Sequence, residues 1–264
     1  MPESDSILPS QATAGAVRQA GVPPPAPVSQ PPANDAAVMS LVDHLSELRS
    51  RILKTLLAIS VGSVIGFVLS NPVIAALAAP AGGKLLNLAP GDAFFIVIRV
   101  SVVIGIVLAM PIVLYQVWAF VAPGLTRDER RLIRPWIPLA LLFFAIGVGV
   151  AYIVLPFAMA FLLSFGTGVF QNELAAAPYF NFVTTLFLAF GLVMEFPILL
   201  FGLSRVGILS SDRLRRSRRY VFLGIVIFST IATPGGDLVS PTVLATVMYV
   251  LFEATIFVIR RSGR

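Results

Sequence analysis

No cysteine occurs in this chain, and histidine occurs once, at His44. Without thiols there are no disulfides, zinc thiolate centres or thiol nucleophiles. The sequence also lacks a G-x-S-x-G elbow, an H-E-x-x-H zinc helix, a Walker loop and a G-x-G-x-x-G fingerprint. An intramembrane protease would need a Ser–His or paired Asp arrangement within its apolar segments, and none is there. Enzymatic readings therefore fail, no metal or cofactor is expected, and the chain is expected to bind or conduct. Charge is scarce too: 12% of residues are charged against 57% apolar, and mean hydropathy is +0.92. That composition lies far from the soluble average and puts most of the 264 residues in lipid. Twenty prolines and twenty glycines do not argue against helices there, because neighbouring spans satisfy the backbone groups they free.

Residues 1–40 carry eight prolines with Ala, Ser and Gln, and show neither helical nor strand periodicity. They read as a disordered Pro/Ala-rich tail. A secretory signal would need a basic start, an apolar run and a small-residue cleavage site; none is found, so the tail is expected in the cytoplasm. The membrane domain is expected over 41–264. Apolar runs occupy 52–69, 93–120, 136–163, 180–203, 221–233 and 242–259, each bounded by polar or Pro/Gly-rich residues. Six transmembrane helices is the simplest count, and the fold class is an all-α membrane protein. Barrel strands would alternate apolar and polar, whereas these runs are apolar on every face. The fifth run is the odd one. Its thirteen residues between Tyr220 and Pro234 rise only about 20 Å as a helix, against a hydrocarbon core of roughly 30 Å. Either the flanks extend the helix or the bilayer thins there.

The net charge of +6 raises the question of a nucleic-acid partner. The placement of the basic residues answers it. Arg49, Arg51 and Lys54 open span one, and Arg127, Arg130, Arg131 and Arg134 lie between spans two and three. Arg205, Arg213, Arg215, Arg216, Arg218 and Arg219 lie between spans four and five, and Arg260, Arg261 and Arg264 follow span six. Those are sixteen of the nineteen basic residues; only Lys84 and Arg99 fall in or near the other loops, with Arg18 in the tail. Basic residues near span ends are retained in the cytoplasm, so both termini are expected there and no nucleic-acid partner is implied.

Ionisable groups at membrane depth are expensive and mark candidate sites. Glu195 lies inside span four, two residues before Pro197, which removes an intrahelical hydrogen bond and should kink the helix. The bland reading is a protonated packing residue; a functional site is preferred. Glu253, inside span six near Arg260 and Arg261, is read as a carboxylate that reaches polar surroundings or pairs with a neighbouring span. In LVDHLSELRSRIL, His44, Glu47 and Arg51 share one face of an amphipathic helix, while Ser46 and Arg49 fall on others. A second acidic point, Glu129, sits among Arg127, Arg130 and Arg131. From spacing alone, ordinary salt bridging of both carboxylates wins. The alternative is a site for a cationic ligand, because guanidinium groups pair with carboxylates in a bidentate fork.

HLSELRSRIL (44–53), PIVLYQVWAFVAPGLTRDERRLIRPWIP (111–138) and the stretch 189–258 beginning AFGLVMEFPILLFG closely resemble the TatC family of twin-arginine translocase subunits. The YQVWAF-x-APGL-x-x-x-ER-R block is the most specific part. The resemblance implies a concave, cupped bundle with short fifth and sixth spans, which recognises folded proteins carrying an S/T-R-R-x-F-L-K signal and exports them on the proton-motive force. It assigns signal-peptide binding to Glu47 and Glu129, with Arg49 and Phe120 in neighbouring motif positions. It assigns Glu195 to contact with TatA- or TatB-like single-span helices. It matches Asp237 to an acidic residue after the last extracytoplasmic Thr-Pro, and Pro80 and Pro111 to prolines at the ends of the first and second spans. Implied partners are those helices, twin-arginine signal peptides, membrane lipid and further copies of the chain in a receptor complex. Two features depart from the family: the long tail, and T-P-G-G-D where T-P-P-D is usual.

Two rival classes remain at this level. A proton-coupled small-solute transporter could use Glu195 and Glu253 as a relay, but such proteins usually carry internal repeats and paired broken helices, and the two halves here show no repeat. A passive membrane scaffold would show no dependence on signal peptides.

Overall fold

Runs apolar on every face form helices because a backbone in lipid must satisfy its own hydrogen bonds. In the computed structural model, residues 41–82, 85–124, 136–165, 173–205, 211–233 and 237–261 are described. The tail of residues 1–40 and the loop carrying Glu129 lie outside them. In chain order the helices are α1 (Leu41–Ala78), α2 (Asp92–Val121), α3 (Trp136–Ser164), α4 (Ala176–Val193), α5 (Phe196–Arg205), α6 (Ser211–Arg216), α7 (Arg218–Ala232) and α8 (Val239–Arg261). Short 3-10 turns, Ala79–Ala81 and Ala122–Gly124, follow α1 and α2. Among the described residues the one β-type pairing is an isolated bridge between Leu86 and Ala175.

Five helical stretches are long and apolar enough to cross a membrane: His44–Ala81, Asp92–Val121, Trp136–Ser164, Ala176–Ser204 and Val239–Arg261. The fourth joins α4 and α5 in series. Large apolar side chains face outward along them, among them Val64, Val68, Phe157 and Phe257, an arrangement that water would penalise and lipid does not. The chain is a multi-pass membrane protein.

Two of three telling helix lengths differ from the sequence expectation. With 38 residues, α1 reaches about 57 Å, well beyond its apolar run, because the amphipathic segment from Leu41 and the stretch past Pro72 continue the same helix. The fifth span is short: the 15 residues of α7 rise about 22 Å. The sixth is not short. The 23 residues of α8 rise about 34 Å, since Ser240 and Pro241 fit its first turn and Arg260 and Arg261 its last, where cations favour the helix dipole.

Close backbone approach holds α1 against α2. Gly62 and Gly66 lie one turn apart on α1 and meet Ser101 and Gly105 of α2; a Cβ at Gly62 would come within 2.7 Å of the Gly105 carbonyl oxygen. Small residues four apart on both helices permit the dispersion contacts that replace hydrophobic drive in lipid. Gly147 of α3 and Gly191 of α4 do the same, with Gly147 against the Phe190 carbonyl. Gly62→Leu should therefore force the hairpin apart and lower stability by about 1–3 kcal/mol. A thermal melt of the detergent-solubilised protein would read this as an earlier transition, and an unchanged melt would refute the close approach.

The core lies among α2, α3, α4 and α8, where Val100, Leu155, Val183, Leu186, Phe190, Leu244 and Phe252 are fully buried. At its edge the Tyr179 hydroxyl donates to the Leu77 carbonyl, 2.6 Å away. It satisfies a carbonyl that the last turn of α1 leaves without an intrahelical donor.

Candidate functional site

The first candidate site forms where the start of α1 meets the end of α2. The ring of His44 stacks on that of Phe120, with centroids 4.4 Å apart. Two turns further along α1, the Arg51 guanidinium donates through Nε and Nη2 to Glu47 Oε1, the Nε bond being 3.0 Å. Arg51 Nη1 also donates to Gln116 Oε1 at 3.2 Å. His44, Glu47 and Arg51 thus turn one face of α1 toward Gln116 and Phe120 of α2. Glu47 Oε2 is buried and has no hydrogen-bond partner among the described residues, and the same holds for Trp118 Nε1.

Intrahelical pairing has therefore claimed one oxygen of Glu47 and left the other. A buried carboxylate oxygen without a donor is costly, and a second guanidinium can remove that cost. Arg49 is not part of this cluster. It is exposed and lines a shallow depression with Ser46, Ser50 and Lys54 on another face of α1. Glu129 lies outside the described residues. Sequence reasoning passed over Gln116 and the stacking role of His44. A lone amide near the polar end of an apolar run was the available signal for Gln116.

The second candidate is the break between α4 and α5. Pro197 has no N–H to donate to Val193, so the helix cannot run through. The Glu195 amide bonds to the Leu192 carbonyl at 3.1 Å, and α5 restarts with Ile198 and Leu199 both donating to the Glu195 carbonyl at 3.1 Å. Glu195 is buried at 8% exposure, and its Oε1 has no partner among the described residues. An acidic residue just before a helix start also suits the local dipole. Beside the break, Leu192, Phe196, Leu199, Ile225, Phe228 and Met248 line an apolar cleft of about 390 Å³ between α4–α5 and α7–α8.

The remaining sequence candidates serve local structure. Glu253 Oε2 accepts from Arg218 Nη2 at 2.6 Å, tying α8 to the start of α7, the pairing with a neighbouring helix expected of it, while Oε1 has no partner among the described residues. Asp237 is buried, and its Oδ2 accepts the Ser240 amide at 2.6 Å, fastening the start of α8. Pro80 sits in the turn after α1. Pro111 lies inside α2, not at the end of the span; packing against α1 and lipid holds the helix through it for a further ten residues.

Fold and sites together define a polytopic α-helical membrane protein with one carboxylate, Glu47, where α1 meets α2 and another, Glu195, at a helix break. The family profile of the Sec-independent protein translocase protein TatC matches residues 43–246. Similar proteins include TatC of Synechocystis, 38% identical over 87% of this chain and 91% of its own length. TatC of Escherichia coli is 37% identical over 82% and 86%, and chloroplastic TATC of Arabidopsis thaliana 36% over 87% and 69%. A crystal structure of the twin-arginine translocase receptor TatC superposes with a TM-score of 0.74 at 33% identity, covering 84% of this chain and all of that one. The chain belongs to the TatC family.

Proposed function

We propose that this protein is the signal-peptide receptor and core subunit of a twin-arginine translocase, exporting folded proteins across the cytoplasmic (inner) membrane on the proton-motive force. It crosses six times with both termini in the cytoplasm. The clustering of sixteen of the nineteen basic residues before span one, in two alternate inter-span segments and after span six supports this orientation, and it requires the short α7 to cross as well.

The signal's two arginines dock on Glu47 and Glu129 beside Phe120, with Arg49 on the adjoining face of α1. Membership of the family supports the function, and the Glu47 oxygen that has no partner among the described residues carries the site. An incoming guanidinium either takes that oxygen or displaces Arg51, forming a charge-assisted fork. Arginine suits this geometry better than lysine, whose ammonium is a point charge. Glu195 offers a polar partner within lipid to TatA- or TatB-like single-span helices, and several copies of the chain assemble in the receptor complex.

A labelled twin-arginine peptide titrated onto the purified receptor complex should bind, and changing Arg-Arg to Lys-Lys should weaken it by roughly tenfold or more. Equal binding of the two peptides would refute the proposal.

A further inference from the structure

We propose that the end of the bundle away from His44 carries a binding site for one anionic glycerophospholipid, with its headgroup at Arg99 and an acyl chain in the groove beside it.

Arg99 is exposed on α2, the helix's lone basic residue. Its Nη1 donates to Asn181 Oδ1 of α4 at 2.8 Å, the one bond it makes among the described residues, which leaves most of the five guanidinium donors open. Seventeen residues separate Arg99 from Gln116, and Gln116 bonds to Arg51 at the opposite rim. Seventeen residues of helix rise about 26 Å, close to the roughly 30 Å of a hydrocarbon core. Arg99 therefore sits at headgroup depth in the far leaflet, and helical side chains lean toward the N-terminus, here away from the bilayer centre.

An apolar groove of about 250 Å³ lies further along the same two helices, lined by Val73, Leu77, Val103, Val107, Thr184 and Phe187 among others but not by Arg99 or Asn181 themselves. Val103 and Val107 follow Arg99 at i+4 and i+8 on α2, and Thr184 follows Asn181 at i+3 on α4, so polar head and groove form one stripe across two helices. The groove runs toward Leu108 and Val148, nine residues along α2, or about 14 Å of rise. Fixed positive charge at the wet end and a lining that is apolar apart from Thr184, whose hydroxyl is spent on the Phe180 carbonyl, match a phosphate-bearing head and a hydrocarbon tail. A partner helix would fill the groove without answering the arginine.

Native mass spectrometry of the purified full-length chain, mixed with phosphatidylglycerol or with phosphatidylethanolamine in detergent, tests this. The wild type should retain phosphatidylglycerol preferentially. Arg99→Gln should reduce that retention about tenfold, the loss of a charge-assisted contact, and Arg99→Lys should keep most of it. Val103→Trp fills the groove while leaving the Arg99–Asn181 bond intact, and should reduce retention with Arg99 still present. Melting curves with added phosphatidylglycerol should rise for the wild type and stay flat for Arg99→Gln and Val103→Trp. Equal retention of the two lipids by the wild type overturns the proposal. So does wild-type retention by Val103→Trp, or a second copy of the chain found on this face in place of lipid.

Discussion

Glu47→Gln should weaken capture of a twin-arginine precursor by roughly ten- to hundredfold. The substitution keeps the shape of the side chain and a hydrogen-bond acceptor, but it removes the charge that a guanidinium reads. A hydrogen bond to a charged group contributes about 1.5–3 kcal/mol, a roughly ten- to hundredfold change in Kd. Glu129→Gln should act in the same direction, and the double variant should leave no specific crosslink between receptor and signal. Arg51 complicates the expectation in a useful way. It already bonds to Glu47 and to Gln116, so Arg51→Gln frees both Glu47 oxygens and should tighten, or leave unchanged, the capture of the peptide. Site-specific crosslinking of precursor to receptor measures all of these, and full capture by the double variant would remove the site.

Glu195→Ala should have two effects of opposite sign. In the isolated protein it removes a buried carboxylate whose Oε1 has no partner among the described residues, so the melting transition should stay level or rise. In the assembled translocase it removes the polar group offered to a neighbouring single-span helix. A hydrogen bond of that kind in lipid contributes about 1–2 kcal/mol, a roughly five- to thirtyfold weaker association, and export should fall with it. Glu195→Gln keeps hydrogen-bonding capacity and should retain much of the association. Co-purification of partner helices and export of a reporter read one effect; a melt of the isolated chain reads the other. A fall in both for the Ala variant would mark Glu195 as a structural residue only.

Much of the architecture was legible because lipid imposes so few solutions. The six apolar runs became helices, and Pro197 broke the fourth where its missing N–H said it would. Two of the helix lengths were legible less well. Hydropathy reports where a helix must be apolar, not where it ends, so polar helical turns at the start of α1 and at both ends of α8 fell outside the runs. The resemblance placed Pro111 at a span end, but whether proline ends or only bends a helix depends on what packs around it.

Within the candidate site, spacing alone put His44, Glu47 and Arg51 on one face. It could not say that His44 would stack on Phe120, that Arg51 would reach Gln116 sixty-five positions away, or that one Glu47 oxygen would stay open. The same is true of Arg218 with Glu253 and of Arg99 with Asn181.

By itself, the sequence determined that this chain spans the membrane as helices, which residues could break or cap them, and which few charges had to be accounted for. These follow from local chemistry: hydropathy, the missing donor of proline, and the cost of a charge in lipid. Tertiary structure alone decided which of those charges are satisfied and which are left available. Partners for a carboxylate or a guanidinium come from helices far apart in the chain, and only packing brings them within hydrogen-bonding reach.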